Sequence, residues 1–205
     1  MIKTIDEAKQ IFKMYMPDGN RSQNITRLYD HMVQSGFYKA PASTKYHLNI
    51  ECGLAIHTAH VMLNLYDLNS AFGSPYLSET LFLVSFIHDA HKVCDMFGNP
   101  QYIEQTSKWH REKLNENYKW NEEQFCIDST FKSVLIAQKF LDLSSHEIQA
   151  ILYHDGPFDD KFKKIQTHVY PLTVMLHMAD LYAAFVQENE KPIFPNELFK
   201  IERGE

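Results

Sequence analysis

The sequence is poor in cysteine, in clustered positive charge and in long apolar runs. Cys52, Cys94 and Cys126 are an odd number, lie far apart and form no CxxC pair. That excludes a disulfide framework and a zinc ribbon, and it fits a reducing compartment. The longest apolar stretch lies within Leu81–Ile87 and is interrupted by Ser85, far short of the ~20 residues that span a bilayer as a helix. The start, MIKTIDEAKQ, carries charge where a secretion signal would be apolar. These features point to a cytoplasmic protein with no membrane partner. Net charge is −6 and the Lys and Arg residues are scattered, so a broad grip on duplex nucleic acid is not expected. A small anion in a locally positive pocket remains compatible with this charge. There is no internal repeat and no low-complexity tract.

What is abundant is histidine, 11 residues in 205. A chain of this length suits one domain with a real core, and its 44% hydrophobic and 22% charged residues are ordinary for a globular protein. Thr4 and Glu7 form a capping-box pattern that opens a first helix, and Pro17-Asp18-Gly19-Asn20 stops it. Further helices are expected at about 24–35, 50–68 and, capped by Ser78, up to about 90. Others follow at about 129–140, 145–154 and 171–187, with Ser144 and Glu147 as a second capping box. Residues 37–47 read as an ordered loop. Residues 93–127 lack clear periodicity and are expected to form a long excursion with a short β-hairpin, lying as a cover over the site. The expectation is a single all-α domain over 1–205, with its core at about 36–187 and a C-terminal tail at about 191–205.

His57 falls on the apolar face of the third helix, with Leu54, Val61, Leu65 and Leu68 at helical spacing. His88 shares the inner face of the next helix with Leu81 and Val84, and Asp89 follows it. Asp180 sits in the last helix. One buried histidine is usually a satisfied core residue. Three inner-face positions carrying His, His-Asp and Asp would each need a polar partner, because a buried charged Asp is costly unless paired or bound to metal. Imidazole plus carboxylate suits a first-row divalent ion.

SFIHDAHKV resembles the signature of the HD superfamily of metal-dependent phosphohydrolases, GLAIHTAHV its upstream histidine element, and VMLHMADLYAA its terminal aspartate helix. APASTKYH, NENYKW and KSVLIAQKFLDLSSHEIQAILYHDG are similar to a bacterial and phage subgroup, so the likeness covers roughly Gly36 to Val186. The HD part of a bacterial 3′→5′ exoribonuclease family is a more distant likeness. The resemblance implies an HD-type helical bundle holding one divalent ion (Mn, Co, Ni, Fe, Mg or Zn) on His57, His88, Asp89 and Asp180. It implies catalytic roles for Asp89, Lys92 and His154, and substrate contacts from Ser43, Lys45 and His47. The implied reaction is hydrolysis of a nucleotide or another small phosphate ester. A single-stranded nuclease, or a nucleotide sensor that keeps the fold without turnover, is the alternative, and homo-oligomerisation is left open.

For His154 the other reading is a helix-end residue, for Lys92 a structural partner of Asp89, and for the Ser43–His47 loop an ordinary polar turn. His60, His91 and His177 read as packing or supporting residues, His110 as surface or a replacement ligand, and Trp109 and Trp120 as packing or base-stacking groups. Two positions depart from the subgroup: Cys52-Gly53 stands where Gly-Gly is usual, and Asp128–Ser133 replaces GHGEKS, which puts Ser129 where a histidine would be. The second departure makes one ion the expectation, not two, and disfavours a diiron oxygenase.

Overall fold

The computed structural model describes residues 2–188. Helix accounts for 57% of the described residues and strand for 3%. The element order is α1 (Ile5–Tyr15), α2 (Ser22–Gln34), α3 (Gly53–Ala71), α4 (Ser78–Ile87), β1 (Tyr102–Glu104), α5 (Lys108–Leu114), β2 (Tyr118–Trp120), α6 (Ser129–Gln138), α7 (Ser145–Leu152) and α8 (Pro171–Tyr182). Short 3₁₀ turns cover Ala90–Lys92, Gly156–Phe158 and Asp160–Lys164, and a π-helical turn, Ala183–Gln187, extends α8. This is the expected all-α architecture. The tail expected at 191–205 lies outside the described residues.

The middle of the bundle is α3, which packs against α1, α4 and α8, while α7 packs against α4, α6 and α8. The outer helices bury single stripes: Ala8 and Phe12 on α1, then Ile25, Leu28 and Met32 on α2. By contrast α3 and α4 are buried nearly all round. Ser85, the one polar break in the apolar run of α4, is fully buried, and its hydroxyl donates to Leu81 O at 2.8 Å. Phe12, Phe37, Phe82 and Phe86 interlock as an aromatic cluster where α1, α4 and the end of α2 meet.

Both expected capping boxes form. The second one also ties helices together. Glu147 is wholly buried and accepts from Arg21 Nη1 at 2.6 Å, from Thr80 Oγ1 at 3.2 Å and from Ser144 N at 2.8 Å. Ser78, expected as a cap, is the first residue inside α4. Leu77 occupies the cap without a side-chain bond, and Glu79 of the first turn instead accepts from Arg21 N at 2.6 Å.

Helix α3 starts three residues later than its periodicity predicts. Leu48 and Cys52 have φ of 46° and 62°, which folds 48–52 into a tight turn. A Cβ on Gly53 would lie 2.0 Å from Leu48 O, so only glycine fits there. Cys52 takes the left-handed conformation that glycine adopts freely, so this departure from Gly-Gly places backbone strain at the entry to α3.

The excursion is ordered. Asp95 accepts from the backbone N–H groups of Phe97, Asn99 and Phe125 at 2.8–3.0 Å, pinning both ends of the segment together. β1 and β2 pair antiparallel, with Tyr102 opposite Trp120 and Glu104 opposite Tyr118, and α5 lies between them. Asn49 Nδ2 donates to Asn115 O at 2.6 Å and Asn117 Nδ2 donates to Asn49 O at 3.0 Å, so the excursion docks on the loop that precedes α3.

Two stability measurements check this account. Cys52→Gly is expected to raise the urea midpoint by the equivalent of about 0.5–1 kcal/mol, the left-handed penalty less the extra chain entropy of glycine. Glu147→Ala, which strands Arg21 and removes a buried network, is expected to cost about 3–5 kcal/mol in the same experiment.

Candidate metal centre

Three helices deliver the four expected ligand residues to one place. His57 projects from the buried face of α3. α4 stops at Ile87, so His88 is its C-cap and Asp89 has already left the helical conformation, with φ −105° and ψ 17°. That turn lets two adjacent residues address the same point. Asp180 comes from the last turn of α8. His57 Nε2 lies 3.0 Å from Asp180 Oδ1, 3.6 Å from Asp89 Oδ2 and 3.4 Å from His88 Nε2, and His88 Nε2 lies 3.5 Å from Asp89 Oδ2. His57, His88 and Asp89 are all buried and their ligand atoms form a group that could hold a metal ion.

The hydrogen bonds assign the protons. His88 Nδ1 is 2.8 Å from Ser85 O, which can only accept, so Nδ1 carries the hydrogen and Nε2 presents a lone pair. His57 Nδ1 is 3.1 Å from both oxygens of Glu188, so it too donates and turns its Nε2 inward. The two imidazole nitrogens and an Asp89 oxygen therefore face one another, with Asp180 Oδ1 set against His57 Nε2, and such acceptors repel without a positive charge among them. At metal–nitrogen and metal–oxygen distances of ~2.1 Å, ligand atoms stand roughly 3.0–3.4 Å apart, close to the separations seen here. The donor set fits a divalent cation.

Without a cation, protons take up the balance. Burial opposes the His57 imidazolium, but the flanking Glu188 and Asp180 carboxylates outweigh it and raise His57 to about 10. His88 is pushed down to about 4 by burial. Burial would raise Asp180 and Asp89. Instead His57 holds Asp180 well below the carboxylate range, and Lys92, with the histidines around it, holds Asp89 there. Lys92 Nζ donates to Asp89 Oδ2 at 2.7 Å and is held charged by it. That contact makes the amine a structural partner of Asp89.

The other oxygen of Asp89 faces two further imidazoles. His91 Nε2 and His154 Nε2 each lie 3.8 Å from Oδ1. His154 Nδ1 donates to Ile151 O at 2.9 Å, which leaves its Nε2 as an acceptor. Ser133 Oγ donates to His88 O at 3.1 Å and so accepts from His91 N and Nδ1, which fixes the His91 ring the same way. Burial lowers His91 to about 3.

The loop residues divide. Ser43 Oγ donates to His47 O at 2.7 Å and accepts from Tyr46 N at 3.0 Å, so its hydroxyl holds the loop together. Lys45 pairs with Glu116 of the excursion at 3.5 Å. His47 is the loop residue that reaches the centre: its ring centroid is 5.3 Å from that of His57, its Nε2 is buried without a hydrogen-bond partner, and burial pushes it down to about 4. His110 bonds Glu116 at 2.7 Å, which ties up the residue considered as a replacement ligand. His177 Nδ1 donates to His154 O at 2.8 Å, and its ring fills the space that a Cβ on Gly156 would need. Trp109 and Trp120 are both more than half exposed.

Sequence reading missed Ser133 and Glu188, and took His91 only as a packing or supporting residue. Glu188 was invisible because it lies past the periodic part of the last helix. His91 and Ser133 sit beside motif residues, but only the fold shows where their rings and hydroxyls point. No protein-family model, no curated protein and no solved structure matches the chain. Among the described residues no helix is long and apolar enough to cross a membrane.

Nitrogen NMR of the histidine rings in metal-free protein checks the proton assignment. His57 is expected to stay charged at pH 8 and His88 to stay neutral at pH 6. The stability that the ion pairs of His57 contribute is then complete below its unfolded value of 6.5 and is lost as pH rises through about 10.

Proposed function

We propose that the chain is an HD-type, metal-dependent phosphohydrolase acting on a nucleotide or another small phosphate ester. The observation that carries this reading is the pairing of the His57–His88–Asp89 group, with Asp180 against His57, with cationic and hydrogen-bonding groups at its edge. His57, His88, Asp89 and Asp180 would hold one divalent ion. Such an ion polarises a phosphoryl oxygen and lowers the pKa of a water molecule. Around it, Lys92 stands ready to offset charge on a phosphate, and the ammonium suits an anionic ester better than a neutral substrate.

Proton handling falls to Asp89 and its neighbours. Asp89 Oδ2 is engaged by Lys92, whereas Oδ1 faces the Nε2 atoms of His91 and His154. A proton from an attacking water can pass to Oδ1 or to His154 Nε2, whose lone pair is exposed to the site by the bond from Nδ1 to Ile151 O. His47, protonated on binding an anion, would add a donor from the opposite loop. Trp109 and Trp120 of the excursion offer exposed ring faces for a base. Ser43 and Lys45, given their partners, act here through the shape of the loop.

Phosphate release from nucleoside mono-, di- and triphosphates, with Mn²⁺, Co²⁺, Mg²⁺, Ni²⁺ or Fe²⁺, tests the proposal. Wild type is expected to turn over in at least one metal, and His88→Ala is expected to lose both metal and activity. Lys92→Ala is expected to keep the metal and lose about 10²-fold or more in kcat. If wild type binds nucleotides yet releases no more phosphate than His88→Ala under any metal, the sensor reading replaces the enzyme. Cleavage of short oligonucleotides to nucleotides, with no phosphate released from the mono-, di- and triphosphates, would make it a nuclease.

A further inference from the structure

The last described residue, Glu188, is a deeply held carboxylate outside the four proposed ligands. The π-helical turn Ala183–Gln187 carries it back beneath α3, where its side chain is 1% exposed. Its backbone N–H donates to Ala183 O at 3.0 Å. The turn is fastened separately by Asn64, whose Nδ2 donates to Ala179 O at 3.0 Å and to Gln187 Oε1 at 2.9 Å.

The carboxylate receives two imidazole N–H groups. His60 Nε2 accepts from Ile2 N at 3.0 Å, so His60 must carry its hydrogen on Nδ1, and that atom donates to Glu188 Oε1 at 3.0 Å. His57 Nδ1 donates to the same group, 3.1 Å from either oxygen. His47 Nε2 stands 3.7 Å from Oε2 on the third side. Both ends of the described chain thus meet at one carboxylate: Ile2 through His60, and Glu188 itself. The groups facing Glu188 leave His57 one orientation and one tautomer, with Nε2 directed at Asp89, Asp180 and His88.

We infer that Glu188 is the positioning residue of the metal centre: it orients His57, fixes the proton on Nδ1 and strengthens Nε2 as a ligand. Carboxylate partners of ligating histidines act in this way, and their loss typically weakens metal binding by ~10–100-fold. The inference rests on the metal-centre reading above and deepens it. It also gives the turn beyond α8 a part in the site.

Co²⁺ binding to the full chain, measured by calorimetry, tests it with three variants. Glu188→Ala is expected to bind ~10–100-fold more weakly than wild type. Glu188→Gln, which keeps an acceptor for His57 Nδ1–H but loses the charge, is expected to fall between the two and guards against a folding defect in the alanine variant. Asn64→Ala loosens the same turn without touching His57 and is expected to bind within about threefold of wild type. In metal-free protein, the NMR signal of the His57 Nδ1 proton is expected in wild type and in Asn64→Ala and absent in Glu188→Ala. Equal affinity of wild type and Glu188→Ala would overturn the inference alone. A loss in Asn64→Ala as large as in Glu188→Ala would reduce Glu188 to a structural clamp and overturn it too. Wild type that binds no Co²⁺ would overturn the metal-centre reading itself, and this inference with it.

Discussion

Acceptor atoms buried face to face are the constraint on which the rest of this molecule depends. His57 Nε2, His88 Nε2 and Asp89 converge away from solvent, and Asp180 reaches His57 Nε2 from the edge, with separations of 3.0–3.6 Å. Left without positive charge, that arrangement costs far more than a surface cluster would, because burial removes the water that would screen it. The protein supplies charge in two ways. The His57 imidazolium sits between Asp180 and Glu188, and the Lys92 ammonium sits on Asp89. A divalent ion in the centre would replace the first of these and leave the second in place.

Such a centre needs helices that do not move relative to one another, and the packing provides that. α3 is buried nearly all round and touches α1, α4 and α8, so the ligands on α3, α4 and α8 share one frame. The Arg21–Glu147 pair locks the start of α2 to α7, and the aromatic cluster fills the space behind α4. Orientation of the rings is set by fixed acceptors, namely Ser85 O for His88, Ile151 O for His154 and Ser133 Oγ for His91. The excursion is the more polar part. It docks on the 43–51 loop through side-chain amides and one surface ion pair, contacts weaker than those holding the helices.

Much of this was legible in the residues. Periodicity located the helices outside 93–127 to within a few residues, because an apolar stripe every three or four positions has only one way to face a core, whereas α5, which buries no residue, gave no such stripe. The capping boxes at Thr4–Glu7 and Ser144–Glu147 formed as read, since their bonds span only three residues. Ser78 misled because a serine near a helix start can stand at the cap or just inside it, and the choice here fell with Glu79 and its contact to Arg21. The start of α3 was displaced by a turn at 48–52 that depends on two left-handed residues.

What the sequence by itself determined was an all-helical chain with histidine and aspartate on inner faces, of which His57, His88 and Asp89 meet in one buried group. Local spacing carries the placement on inner faces, because each residue's place on its own helix follows from the helical repeat. Only the tertiary structure decided how the chemistry is shared. It brought His91 and His154 to the second oxygen of Asp89, turned Ser43 and Lys45 to loop and excursion partners, left His47 Nε2 buried without a partner, and placed Glu188 under His57. These contacts join residues up to 131 positions apart. Their geometry depends on how helices cross and where rings find an acceptor, and no periodicity along the chain encodes that.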